Sequence, residues 1–502
     1  MGRRGRRPHP EALSKSPIYL PVPVSYFLAA YDLIRSDVDF MSKPAKPERK
    51  QPNVIVFFTD QQRWDTTGVH GNPLGLTPNF DQMARQGTHL EYAFTCQPVC
   101  GPARSCLQTG LYATETGCYK NGIPLRQDLP TLAGYFNEAG YDTGYIGKWH
   151  LAVTRDQPVP EHLRGGYKYW LAADALEHTS DAYETLLYDN DNQPVKLPGY
   201  RVDALTDAAI RYIDGHKSDP FFLFLSYLEP HHQNHRDDYP APDVYRDMYT
   251  SRWVPPDLAA LGGTAHQHLG GYYGMVKRLD EALGRIRDTL RSLHLTEETI
   301  ILFTSDHGSH FKTRNGEYKR SCHESSIRVP SALYGSQFTG GGSVRELVSL
   351  VDFVPSLLDA VGIEVPDHMQ GRSVVPLLHS RESRAEWPGE VFVQISESHT
   401  GRAIRTHRWK YSVSASAGLS GGDATQSASA EEYVEQFLYD LYADPYELSN
   451  LAGMESHRDV ANQLRDTLIR RMVEAGEQAP LIHPAPVLPS AQRKVREQEI
   501  FE

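Results

Sequence analysis

The segment Cys100–Gly110 reads C-G-P-A-R-S-C-L-Q-T-G. Pro102 suits the first turn of a helix and Gly110 its C-terminal stop. This predicts that Cys100 stands at a helix N-terminus, where unpaired backbone N–H groups and the helix dipole favour an anion. Arg104, about one turn further in, is spaced to point back at the same place. On these residues alone, a thiol facing an anion site and a plain buried thiol are both open.

More polar residues fall at the ends of apolar runs. N-V-I-V-F-F-T-D ends on Asp60 and is followed by Gln61, and T-I-I-L-F-T-S-D-H ends on Asp306 and His307. P-F-F-L-F-L-S-Y is followed by Glu229, Pro230, His231 and His232, and the weaker run Asp142 to Ile146 by G-K-W-H, which carries Lys148 and His150. Short continuous apolar runs suit strands buried on both faces. Between them, residues 79–86, 132–139, 202–214 and 272–293 carry apolar residues at helical spacing. Strands alternating with helices predict an α/β domain with a largely parallel sheet. Ligands bind such sheets at the carboxyl edge, which is where Asp60, Lys148, His150, His231, Asp306 and His307 are expected. Singly, each has a plainer reading. Strand-end Asp residues cap helices and form turns. Lys148 and Lys319 read as solvated surface lysines. His231 competes with His232 and His235.

The chain has 502 residues and a net charge of −12, from 51 Lys and Arg against 63 Asp and Glu. The interspersed charge argues against a nucleic-acid binder but permits a locally positive site for a small anion. Five cysteines, four of them between residues 96 and 118, read as reduced thiols rather than a secreted disulfide scaffold. Residues 1–50 read as a basic extension and linker, with Met41 as an alternative start, and 51–389 as the catalytic domain. No signal peptide and no membrane span are read, so a cytoplasmic location is expected. From 390 to 502 a small α+β domain is expected, with strands at 390–395 and 410–413, a Ser/Gly/Ala-rich loop at 414–430, and a helix at 460–475. The oligomeric state is not legible.

C-x-P-x-R followed by T-G resembles the signature of the type I sulfatases of the alkaline-phosphatase-like superfamily. In that family a formylglycine-generating enzyme oxidises the cysteine to formylglycine. Ala103 stands where Ser is commoner. The resemblance runs from about Asn53 to Leu451. It takes in Asp60, G-K-W-H at 147–150, S-D-H-G at 305–308, Lys319, R-W-K-Y at 408–411 and L-Y-D-L at 438–441.

The resemblance implies an alkaline-phosphatase-like α/β/α sandwich with a smaller C-terminal α+β domain, and hydrolysis of a sulfate ester of a small molecule or saccharide. It implies Asp60, Gln61, Asp306, His307 and modified Cys100 as ligands of a divalent metal. Gln61 departs from the commoner second Asp, which leaves Ca²⁺ or Mn²⁺. A hydroxyl of hydrated formylglycine would attack sulfur and form a covalent sulfo-enzyme. By the same resemblance Asp306 is the base, His231 the acid on the leaving oxygen, and His150 the acceptor of the second hydroxyl's proton. Lys148 and Lys319 would hold sulfate oxygens, and Arg104 would orient the aldehyde hydrate. Phosphonate or phosphate ester hydrolysis is the alternative, because Asp60-Gln61 and Asp306-His307 suit it too. An inactive binding relative would have lost a nucleophile, ligand or acid, and none is missing. Glu397, His399 and Arg402 read as exposed loop residues.

Overall fold

Strand β1 (Asn53–Thr59) shows how the sequence builds the core. Every residue in it is buried. Val54, Val56 and Phe58 enter one apolar core while Ile55 and Phe57 enter another on the opposite side. A strand covered on both faces has no use for polar alternation, hence the continuous apolar run. The computed structural model describes residues 51–415, 427–488 and 495–501.

The remaining strands of the first sheet are β2 (Thr88–Phe94), β3 (Asp142–Lys148), β4 (Tyr169–Ala173), β5 (Thr185–Tyr188), β6 (Pro194–Leu197), β7 (Phe221–Ser226), β8 (Thr299–Ser305), β9 (Arg328–Tyr334) and β10 (Gly342–Ser349). They lie in the order β10-β2-β9-β8-β1-β7-β3-β4-β5-β6. The central strands β8, β1, β7, β3 and β4 are mutually parallel. Antiparallel pairs join β9 to β8 and to β2, and β5 to β4 and to β6. The sheet is thus parallel at its centre and mixed toward its edges. The first and third of the four helices expected in it are found at Pro78–Gln86 and Arg201–Gly215. The second is Leu132–Glu138, and the fourth runs Ala265–Ser292, starting seven residues before the expected 272. Its first turns, A-H-Q-H-L-G-G, carry too few apolar residues to show a period.

A second, five-stranded sheet is built from β11 (Glu390–Ile395), β12 (Gly401–Thr406), β13 (Trp409–Ala415), β14 (Glu432–Asp440) and β15 (Leu481–His483). It is antiparallel apart from β14 and β15. A helix, Arg458–Glu474, packs on it. Phe392, Ile404, Trp409 and Tyr411 of this sheet share one apolar core with Val54 and Phe58 of the first. Most of the loop expected at 414–430 lies outside the described residues, as does the extension before residue 51. Among the described residues no helix is long and apolar enough to cross a membrane.

Because β1, β3, β7 and β8 run the same way, their carboxyl ends share an edge. Asp60 follows β1, Lys148 ends β3, and Asp306 and His307 follow β8. Gly147 permits the close approach of β3 to β7: its φ is 111°, and a Cβ there would sit 1.8 Å from the carbonyl oxygen of Ser226.

Candidate active site

The helix Cys100–Thr109 begins at Cys100 and stops on Gly110 in the left-handed conformation (φ 73°), as the Pro and Gly positions require. Cys100 is 1 % exposed. Its Sγ lies 2.9 Å from Lys319 Nζ, 3.3 Å from His307 Nε2 and 3.5 Å from Asp60 Oδ1. Burial alone raises its pKa, but Lys148, Lys319, His307 and a hydrogen bond with His150 outweigh that and hold it well below the usual thiol range. The atom at the tip of residue 100 therefore sits where negative charge is welcome.

Two buried carboxylates flank it. Asp60 Oδ2 accepts from Lys148 Nζ at 2.9 Å and from Arg104 Nη2 at 3.0 Å. Asp306 Oδ1 accepts from the backbone N–H groups of Gln61 (2.9 Å) and His307 (2.8 Å). Burial and the neighbouring Asp60 push Asp306 up to about 7. Asp60, for which burial and the Cys100 sulfur also act upward, is held low by Lys148, His231 and Lys319. One donor atom from each of Asp60, Cys100, Asp306 and His307 lies within 4.8 Å of the others. His307 Nδ1 is 2.9 Å from the carbonyl of Gly308, so that nitrogen donates and Nε2 keeps its lone pair for the cluster. Gln61 completes the set. Its backbone is left-handed (φ 67°), its Nε2 donates to Tyr239 Oη at 3.0 Å, and its Oε1 is buried without a partner among the described residues. Two carboxylates forced together, an imidazole lone pair and an orphaned amide oxygen suit a hard divalent cation.

The remaining expected residues surround residue 100. Lys148 is fully buried, not a surface lysine, and Lys319 is 5 % exposed. His231 Nε2 is 3.1 Å from Lys319 Nζ, and its Nδ1 is 2.6 Å from the carbonyl of His232. His231 is in hydrogen-bonding contact with Cys100, whereas His232 stacks on His231 with ring centroids 4.3 Å apart. Burial, then Lys319, lowers the pKa of His231. His150, half-buried with φ 59°, contacts the Cys100 thiol. Arg104 Nη1 donates to Ser226 Oγ (2.7 Å) and the Lys148 carbonyl (2.9 Å), Nη2 donates to Asp60 and Asp306, and Nε has no hydrogen-bond partner among the described residues.

Arg402 departs from the exposed-loop expectation. It is buried in β12, with Nε 2.9 Å from both carboxylate oxygens of Glu477. Glu397 is half-buried and also tied down. Its Oε1 accepts from the Asn121 N–H at 2.6 Å and its Oε2 pairs with Arg320 at 2.5 Å. His399 is half-buried as well. Asn121 in turn accepts from the N–H of Gly101, at 2.9 Å. Sequence reasoning missed Glu177, whose Oε1 accepts from Lys148 Nζ at 3.1 Å, along with Tyr239, Ser226 and Asn121. Ser226 closes an apolar run, a signal of the kind that marked Asp60. Glu177 lies in a four-residue helix, Leu176–Thr179, too short to show any period.

A family model described as Sulfatase matches residues 52–363, and one described as N-sulphoglucosamine sulphohydrolase, C-terminal, matches residues 316–474. An ulvan-active sulfatase of Formosa agariphila is 30 % identical over 86 % of this chain and 83 % of its own length. An N-acetylglucosamine-6-O-sulfatase of Bacteroides thetaiotaomicron is 24 % identical over 85 % of this chain and 87 % of its own. Among solved structures, a protein in complex with its substrate D-glucosamine-2-N,6-O-disulfate shares the fold. Its TM-score is 0.69 at 23 % identity, over 85 % of this chain and 98 % of that one.

Proposed function

The chain belongs to the sulfatase family, and from that premise we propose that it hydrolyses a sulfate ester of a carbohydrate, with formylglycine at residue 100 and a divalent cation. Its architecture is the alkaline-phosphatase-like α/β/α sandwich with a smaller C-terminal sheet, and its reaction class is sulfuric ester hydrolysis. The observation that carries the mechanism is the position of residue 100. Its tip is 2.9 Å from the Lys319 ammonium and inside a cluster of Asp60, Asp306 and His307.

Asp60, Gln61, Asp306, His307 and residue 100 would hold the cation. Bound there, it supplies charge neutralisation to an ester oxygen and acidifies the hydroxyls of residue 100. The oxygen-rich donor set favours Ca²⁺, with Mn²⁺ the alternative. As hydrated formylglycine, residue 100 supplies one hydroxyl to attack sulfur and displace the ester alcohol. Loss of the proton from the second hydroxyl then forms the aldehyde C=O and expels sulfate with the first oxygen, and water rehydrates the aldehyde. Maturation therefore calls for a formylglycine-generating enzyme.

The other residues bind and move protons. Lys319 would hold an ester oxygen beside residue 100, and Lys148 another from the Asp60 side. Asp306, next to the nucleophile, serves as its base. His231 is fixed by the His232 carbonyl so that Nε2 faces the reaction, and gives a proton to the leaving oxygen. The Lys319 ammonium opposes protonation of that nitrogen, whereas the incoming ester anion favours it. His150 takes the proton of the second hydroxyl. Arg104, bonded to both carboxylates, keeps them in register with residue 100.

The test is peptide mass spectrometry of residue 100 in protein from a host with the converting enzyme, paired with kcat/KM for an aryl sulfate and an aryl phosphonate bearing the same leaving group. Formylglycine and a clear sulfate preference are expected. An intact thiol in active protein would remove the nucleophile, and a phosphonate preference would change the substrate class.

A further inference from the structure

Glu177 is a buried charge beside the reacting groups that the scheme above leaves unused. It is 6 % exposed. Gln233, two residues after His231, holds its backbone by donating Nε2 to the Glu177 carbonyl at 3.0 Å. Glu177 Oε1 accepts from Lys148 Nζ, and Glu177 Oε2 is buried with no hydrogen-bond partner among the described residues. Burial by itself would raise its pKa, but Lys148, His150 and His231 bring it down to about 2. These are the residues assigned to ester binding and proton transfer, so the carboxylate lies within their field.

Lys148 is consequently neutralised twice. An ammonium has three N–H donors. One goes to Asp60 Oδ2 and one to Glu177 Oε1, which leaves a single donor for an ester oxygen. Sulfate and phosphate monoesters have nearly the same tetrahedral shape, so contacts alone separate them poorly. They differ in charge. A sulfate monoester carries one negative charge, and a phosphate monoester approaches two above its second pKa of about 6. A phosphonate monoester carries one. In a site closed to water, an extra negative charge near a carboxylate is strongly unfavourable, and specificity gained by repelling the wrong ligand needs no added contact with the right one.

We propose that Glu177 is a specificity-determining residue that makes the site select singly charged esters and reject phosphate monoester dianions. The inference rests on the reading of residue 100 as the nucleophile of an ester hydrolase. It does not depend on whether sulfur or phosphorus is the preferred centre.

The experiment compares converted wild type and Glu177→Gln at pH 8 on p-nitrophenyl sulfate, p-nitrophenyl phosphate and p-nitrophenyl phenylphosphonate. In the variant, kcat/KM for phosphate relative to phosphonate is expected to rise by at least about tenfold, while the phosphonate-to-sulfate ratio stays within about twofold. Glu177→Asp, which keeps the charge, is expected to retain the wild-type ratios. An equal fall on all three esters would mean that Glu177 only positions Lys148, and would overturn the proposal. A rise for phosphonate together with phosphate would tie the effect to phosphorus rather than charge, with the same result. Wild type alone gives a second test should the variant not fold. Its phosphate-to-phosphonate ratio is expected to drop as the pH passes about 6, where the phosphate ester loses its second proton. Taking a ratio cancels the enzyme's own titrations, and a flat ratio overturns the proposal. A wild-type preference for phosphonate over sulfate would instead revise the substrate class and leave this comparison valid.

Discussion

The Lys319 ammonium and the His231 ring face each other at 3.1 Å, Nζ to Nε2, and the same ammonium touches the tip of residue 100 at 2.9 Å. The opposite ring nitrogen of His231 is committed to the His232 carbonyl. Nε2 of His231 is thereby turned toward Lys319, which also touches residue 100, and the His232 ring stacks on it with centroids 4.3 Å apart.

His231→Ala is expected to slow saccharide or alkyl sulfates by about 10²- to 10⁴-fold, because a poor leaving group needs a proton. The loss on p-nitrophenyl sulfate, whose leaving group departs as the anion, is expected to be much smaller. His232→Ala is expected to affect both classes alike. Steady-state kinetics on the two classes decides between them: leaving-group dependence in the His232 variant instead would exchange the assignments.

Chelation is expected to lower activity by at least about tenfold, with recovery on adding Ca²⁺ or Mn²⁺. Plasma mass spectrometry of the purified protein is expected to find about one such ion per chain. Gln61→Ala, which removes the orphaned Oε1, is expected to weaken metal retention without unfolding the chain. Unchanged activity after complete metal removal would exclude the assigned ligand role.

Asp280, on the Ala265–Ser292 helix, accepts from the N–H groups of Asn79 (3.0 Å) and Phe80 (2.8 Å) at the start of another helix, Pro78–Gln86. Burial nonetheless pushes its pKa up to about 6. Unfolded, the group titrates near about 3.9. Between those values the folded chain keeps a proton that the unfolded chain has lost. Its contribution therefore falls as pH rises from about 4 through about 6 and stays lost above. Relative to wild type, Asp280→Asn is expected to gain stability over that range, by up to the order of 2 to 3 kcal/mol, read as a Tm difference that grows with pH. A Tm difference that is flat from pH 4 to pH 7 would show that burial does not govern this carboxyl.

Arg402→Met removes the ion-pair partner of buried Glu477 and leaves it the neutral Gln394 Nε2 donor at 2.7 Å. Loss of one partner of a buried pair costs on the order of 3 to 5 kcal/mol. A Tm lower by several degrees is expected, with near-normal turnover at low temperature. An unchanged Tm would mean that Glu477 is satisfied without Arg402.

The parts of the fold legible in the sequence are those where burial leaves no choice. β1, β7 and β8 are covered on both faces, so their residues form unbroken apolar runs, and the acids and histidines that break those runs are the site residues. The antiparallel strands β5 and β6 carry no such mark; in β6, Pro194 and Lys196 are exposed while Val195 and Leu197 are only half-buried. β12, G-R-A-I-R-T, is fully buried despite two arginines. Its charges are met by Glu477 and Glu324, which lie 75 and 81 residues away in the chain, and no local pattern reports such partners. Glu177 escaped for the same reason: its significance lies in Lys148, 29 residues earlier.

The link from Glu397 through Asn121 to Gly101 has a bearing on how such chains can be recombined. A residue between β11 and β12 braces the first turn of the helix that presents residue 100. The same residue holds Arg320, the neighbour of Lys319. The C-terminal sheet is therefore not an interchangeable module. A chimera that borrowed it from a relative would need Asn121 and Arg320, or matched substitutes, inherited along with it, because crossover points on either side of this brace separate residues that act only together.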